Sequence, residues 1–203
     1  MQGIDFLFSI AVLVFSVVIH EVSHGYAANA LGDPTAKYAG RLTLNPLPHL
    51  DAFGSLLLPL ITYWAGGFIF GWAKPVPYNP YNLSNQKWGP AAVAAAGPAA
   101  NLLVALIFGI FVRIATAVEL PSEFASIATT IVFINILLAV FNFVPIPPLD
   151  GSKVLFSALP SRYGYVQSFL EQWGFVLLLL FIFFFFQVLF PVISLLFRLF
   201  TGL

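Results

Sequence analysis

The stretch VLVFSVVIHEVSHGYAANALG, Val12 to Gly32, decides how this chain is read. It is apolar enough to lie in lipid, yet its second half carries His20, Glu21 and His24. Ionisable side chains within a membrane span cost roughly 2.5–3.5 kcal/mol each on insertion scales and usually line functional cavities. Positions i and i+4 of a helix share a face, so His20 and His24 can aim imidazole nitrogens at one metal ion. Glu21, one residue on, reaches the open coordination position rather than the metal. This is the HExxH arrangement, two zinc ligands plus a general base.

Composition agrees with a membrane setting. Of 203 residues, 60% are hydrophobic and 8% charged, with 23 Phe, and the mean hydropathy is +0.96. Soluble domains carry about 25% charged residues, so an integral membrane protein with the lipid bilayer as its surroundings is expected. The formal net charge is zero and there is no Lys/Arg run, which points away from nucleic acid. The absence of cysteine excludes a disulfide framework and a thiolate metal site. The start MQGIDFLFSI lacks the basic region and cleavage pattern of a signal peptide, so the first apolar segment is expected to be retained. No soluble domain of even about 50 residues fits between the apolar segments, which gives a single membrane domain over 1–203.

At about 20 apolar residues per crossing, the pattern predicts helices over 4–31, 91–118, 124–144 and 166–190, and a short C-terminal helix over 192–200. Gly32 is a plausible stop for the first. KYAGRLTL, within 36–44, alternates enough to predict a short strand. Residues 53–72 are apolar but carry Gly66, Gly67 and Gly71, and AKPVPYNPYNLSNQKWGP (73–90) reads as a loop. Pro145, Pro147 and Pro148 break the helix that ends near 144. Pro191 is expected to end or kink the last span. The expected fold is an all-α polytopic membrane protein, a helical bundle with a short β-strand or hairpin and a re-entrant segment.

A catalytic zinc site takes three protein ligands and keeps one position open. The candidates for the third are His49 and the acids Asp5, Asp33, Asp51, Glu119, Glu123, Asp150 and Glu171. Asp150 stands out because the prolines before it unwind the chain at membrane depth, where irregular backbone is tolerated only beside protein or a water-filled cavity. His49, in PLPHLD, is the rival; its alternative is a loop histidine paired with Asp51.

Three motifs together resemble the site-2 protease family of intramembrane zinc metalloproteases: HEVSH, GPAAN (Gly97 to Asn101) and NFVPIPPLDG (Asn142 to Gly151). GRLTLNP and GWAKPVPYNP are similar to its compact branch without a PDZ domain. The resemblance implies one Zn2+ held by His20, His24 and Asp150, Glu21 as catalytic acid and base, and Asn142 near the substrate carbonyl. The implied partner is a transmembrane protein substrate. Ser152 departs from the pattern, since many members carry a second glycine there. Asn101 divides between a catalytic role and helix packing through GPAAN, where small residues permit close approach.

The metal also constrains topology. His20 lies about 24 Å along its helix from Ile4 at 1.5 Å per residue, and Asp150 follows the exit end of 124–144. Ligands of one ion share a depth, so these helices run parallel and 91–118 runs antiparallel to both. Segment 53–72 is then re-entrant, with Gly66–Gly67 as its turn. Lys37, Arg41, Lys74, Lys87, Lys153 and Arg162 fall on one side, against Arg113 and Arg198 on the other. The positive-inside rule makes the HExxH side cytoplasmic, and the expected location is a bacterial or archaeal cell membrane, as a multi-pass protein. The competing reading is a membrane metal-binding or metal-transport protein with the same ligands. One compact site without a second intramembrane acidic pair disfavours it.

Overall fold

The computed structural model describes residues 2–57, 61, 64 and 73–203. The chain runs α1 (Gln2–Ala30), α2 (Thr35–Tyr38), α3 (Gly89–Ala117), α4 (Ser122–Asn142), α5 (Asp150–Ala158), α6 (Gly164–Leu180) and α7 (Phe190–Thr201). Among the described residues, four stretches, Leu7–Ala30, Gly89–Ala117, Ser122–Asn142 and Gly164–Thr201, are long and apolar enough to cross a membrane. The molecule is a polytopic helical membrane protein, apolar on its outside as well as in its core and with a few polar side chains buried between the helices. Ser16, His20, Asn101, Asn135 and Asp150 are buried, whereas Phe183, Phe184, Phe185, Leu195 and Leu199 lie exposed on the outside. Such an exterior suits acyl chains.

Helix α1 stops where glycine lets it. Gly32 has φ +103, and the Asp33 amide reaches back to the Ala28 carbonyl at 2.9 Å, a bond that a left-handed residue after the last turn makes possible.

The strand expected within 36–44 is not formed, and the described residues contain no strand. Thr35–Tyr38 is instead a helical turn. The Asp33 carboxylate accepts from the Thr35 amide at 3.2 Å and from its hydroxyl, so an Asx-type turn starts the helix. Ala36 is buried, close to Gly25 of α1. The Arg41 amide then bonds the Ala36 carbonyl at 3.0 Å, and Gly40, at φ +65, closes the turn. Local capping and one buried alanine outweigh an alternation of apolar side chains. Most of the expected re-entrant segment 53–72, including Gly66 and Gly67, lies outside the described residues.

Buried contacts fix the relative directions of the long helices. Val93 of α3 meets His24, and Asn101, two turns further on, meets Ser16. Helix α3 therefore runs antiparallel to α1. Asn135 of α4 meets Ser16, while Asp150, beyond the end of α4, meets His20. Helix α4 thus runs parallel to α1, as a shared metal depth requires. The core between these helices is Ala105, Val132 and Ile136, continued by Leu178 and Ile193.

The last span does not stop at 190. Wider and tighter helical turns, Phe181–Phe185 and Phe186–Leu189, join α6 to α7, and Pro191 sits in the first turn of α7. Proline has no N–H for the preceding turn and its ring crowds the carbonyl there, which displaces the irregularity upstream.

Asp33 ties the end of α1 to the loop after 73. It is fully buried and also accepts from the Asn79 amide at 2.6 Å and the Asn82 side-chain amide at 2.9 Å. Burial alone would raise its pKa, but the bonds from Thr35, Asn82 and Asn79 hold it below the usual carboxylate range. A lowered folded-state value means stabilisation that is full above the unfolded pKa of about 3.9 and is lost as pH falls through the folded one. The expected result is that Asp33→Ala lowers the apparent Tm in detergent at neutral pH, since its hydrogen bonds, each worth about 0.5–1.5 kcal/mol net, are lost together. Its difference from wild type should shrink in acid. A pH-independent difference would contradict the assignment.

Candidate metal centre

Helix α1 presents His20 and His24 one turn apart, their rings edge-on with centroids 4.6 Å apart. Asp150 opens α5. Its Oδ2 lies 3.0 Å from His20 Nε2 and 3.2 Å from His24 Nε2. Among the described residues, His20, His24 and Asp150 form a group whose ligating atoms all lie within 4.8 Å of one another. His20 and Asp150 are buried and His24 nearly so.

Both imidazoles are fixed through their other nitrogen. His24 Nδ1 donates to the Val93 carbonyl at 2.7 Å. His20 Nδ1 lies 2.7 Å from Asn101 Oδ1, an atom that can only accept. With both protons on Nδ1, both Nε2 lone pairs face the aspartate, the arrangement of metal-ligating histidines with oriented rings. Two nitrogens and one carboxylate oxygen, with no fourth protein ligand among the described residues, suit a tetrahedral zinc ion with one open position.

Two glycines make this approach possible. A Cβ on Gly97 would lie 2.5 Å from His24 Nε2 and 2.7 Å from His20 Cε1. Only a residue without a side chain lets α3 pass against the two rings. A Cβ on Gly151 would meet main-chain atoms of Phe143 and Val144, the latter's oxygen at 2.6 Å. The first turn of α5 is therefore pressed onto the proline break after α4, which delivers Asp150 to the histidines. Ser152, where a second glycine was the expected pattern, is buried and donates its hydroxyl to the Leu149 carbonyl at 2.7 Å.

Glu21 lies beside this group with its Oε2 accepting from the Val76 amide at 2.8 Å. The segment carrying Val76 is itself held. Arg41, buried, donates to the carbonyls of Lys74 at 2.7 Å and Pro75 at 3.3 Å, and the Lys74 amide donates to the His49 carbonyl at 2.9 Å. Sequence reading did not single out Arg41; a cation in a loop carries no pattern.

The remaining candidates lie elsewhere. His49 is buried in the loop, its Nε2 donating to the Thr43 carbonyl at 3.0 Å, outside the three-residue group. Asp51 accepts from the Gly54 amide at 2.6 Å. Asn142, the last residue of α4, donates to the Leu138 carbonyl of its own helix at 2.9 Å. Asn101 lies in the motif through whose Gly97 the helices approach, and its side-chain oxygen meets His20 Nδ1. Asn135 went unnoticed, although a lone amide inside VFINILLAV is itself a signal.

A bundle with an apolar exterior and a buried His–His–Asp group beside a glutamate defines an intramembrane HExxH protein. The chain belongs to Peptidase family M50, whose model matches residues 8–124 and 109–184. It is 36% identical over 174 residues to "Putative zinc metalloprotease YwhC" of Bacillus subtilis (strain 168), covering 82% of this chain and 76% of that one. It is 31% identical to "Putative zinc metalloprotease Rip2" of Mycolicibacterium smegmatis, covering 85% and 65%. Zinc metalloprotease MJ0392 of Methanocaldococcus jannaschii is 28% identical, covering 77% of this chain and 35% of that one. No solved structure matches significantly.

Proposed function

We propose that this protein is an intramembrane zinc metalloprotease that hydrolyses peptide bonds of transmembrane substrates near the cytoplasmic face of a bacterial or archaeal cell membrane. The observation that carries the reading is the convergence of His20, His24 and Asp150 within 4.8 Å, in a chain of the M50 peptidase family. His20, His24 and Asp150 are the ligands. Zinc bound there supplies Lewis-acid activation of water and of the scissile carbonyl.

Glu21 takes the proton of the attacking water and returns it to the departing amide nitrogen. The Val76 amide holds one of its oxygens, which orients the carboxylate for both transfers. Glu21 is half-buried and His24 keeps a small exposed surface, which leaves the site a route to water. A helical substrate hides its carbonyls in hydrogen bonds and must unwind locally before attack. Asn142 is the proposed donor to the substrate backbone or developing oxyanion, a role that requires it to leave the Leu138 carbonyl. Residues 1–203 act as one domain.

The side follows from charge. Arg113 bonds the carbonyls of Leu199 and Phe200, which puts it with Arg198 at the end of α3 away from the histidines. The six other Lys and Arg residues precede α3 or follow α4. The positive-inside rule then favours a cytoplasmic site. A metal-transport role is disfavoured by the family and by the lack of a second ligand group among the described residues.

The test is cleavage of a generic transmembrane substrate by the purified protein in proteoliposomes. Cleavage should stop with a zinc chelator and return with added zinc. Zinc flux across the vesicles without cleavage of any membrane substrate would contradict the proposal.

A further inference from the structure

Behind His20 a chain of buried amides crosses three helices. Asn101 of α3 faces His20 through Oδ1, and its Nδ2 donates to the Ser16 carbonyl at 3.1 Å and to Asn135 Oδ1 at 2.8 Å. Asn135 of α4 donates in turn to Ser16 Oγ at 2.9 Å and to the Ile131 carbonyl at 2.9 Å. Asn101 and Asn135 have no exposed surface, and Ser16 has 3%.

The polarity of this chain is forced. A main-chain carbonyl only accepts. The Ile131 carbonyl therefore demands the NH2 end of Asn135, which turns its oxygen toward Asn101. The Ser16 carbonyl demands the NH2 end of Asn101, and Asn135 Oδ1 takes its second proton. Asn101 is left with its oxygen toward His20, so the proton must sit on His20 Nδ1. The two histidines are thus held by different means. A main-chain carbonyl fixes His24, and a side-chain relay fixes His20.

We infer that Asn101, backed by Asn135 and Ser16, is a positioning residue that holds His20 in the Nδ1–H tautomer and thereby keeps its Nε2 lone pair aimed at the metal position. This rests on the zinc reading of the site. It also accounts for two asparagines in apolar helices, where an unsatisfied amide is costly.

Two replacements of Asn101 separate positioning from packing. Asn101→Asp keeps an acceptor toward His20 but puts a second oxygen where the Ser16 carbonyl and Asn135 Oδ1 need donors. Asn101→Leu has similar volume and no acceptor. Zinc affinity is measured in detergent by competition with a chromogenic chelator, and the apparent Tm is measured on the zinc-free proteins. Asn101→Leu should bind zinc about 10–100-fold more weakly, the usual cost of losing a group that orients a ligand. Asn101→Asp should stay near wild type. Stability should run the other way, with Asn101→Asp the less stable. If affinity instead follows stability, with Asn101→Leu binding at least as tightly as Asn101→Asp, the relay is only structural and the inference is overturned.

Should either Asn101 variant fail to fold, Asn135→Leu carries the test. It should weaken zinc by roughly 2–10-fold, the equivalent of one neutral hydrogen bond, and 15N NMR of the zinc-free protein should show a mixed His20 tautomer. Wild-type affinity with a single Nδ1–H tautomer would overturn the inference. A wild-type protein that binds no zinc would instead sink the reading of the site.

Discussion

Glu21→Gln is expected to lower the rate of transmembrane-substrate cleavage by roughly 10²–10⁴-fold, the usual loss of a general acid–base group, while zinc stays bound. The amide matches the carboxylate in shape and keeps an oxygen that can accept from the Val76 amide, which Glu21 meets at 2.8 Å. The strap held by Arg41 should therefore stay where it is. What the substitution removes is basicity. Because one group serves both the attacking water and the leaving nitrogen, the loss should approach the upper end of that range. Single-turnover cleavage rates and bound zinc, measured on the same preparation, decide the matter. A variant that cleaves at near wild-type rate, or that loses zinc together with activity, would show that Glu21 does not handle protons as argued.

Much of the site could be read from residues because its chemistry is local in sequence. HEVSH puts two imidazoles and a carboxylate within about one helical turn whatever surrounds them, and Pro145, Pro147 and Pro148 ahead of Asp150 mark a break that is tolerated at membrane depth only beside protein or a water-filled cavity. Parallel α1 and α4 followed from the demand that ligands share a depth, and the contacts of Ser16 with Asn135 and of His20 with Asp150 agree. The strand expected around Ala36 failed because alternation was weighed without the Asp33 cap. That cap depends on Asn79 and Asn82, more than forty residues away. Arg41 acts through carbonyls of another segment, which neither spacing nor periodicity announces; Asn135 stands out as a lone amide in an apolar helix, but its partners on other helices do not. Gly97 was read as a packing residue, which it is, but what it packs against is the ligand pair itself.

The second large effect concerns Asp150. It supplies the only carboxylate of the three-residue group, and Gly151 brings it there by pressing α5 onto the backbone of Phe143 and Val144. Asp150→Ala leaves that backbone approach intact and removes one donor of three. Two imidazoles alone do not make a structural or catalytic zinc site, so affinity should collapse although the helices remain packed. His49 offers the natural control, since it is buried, can ligate, and lies outside the group. The direct measurement is metal analysis of purified wild type, Asp150→Ala and His49→Ala in detergent. The account predicts about one zinc per chain in wild type and His49→Ala, matching a single three-ligand site, with little or none in Asp150→Ala. Full zinc in Asp150→Ala together with its loss in His49→Ala would contradict it.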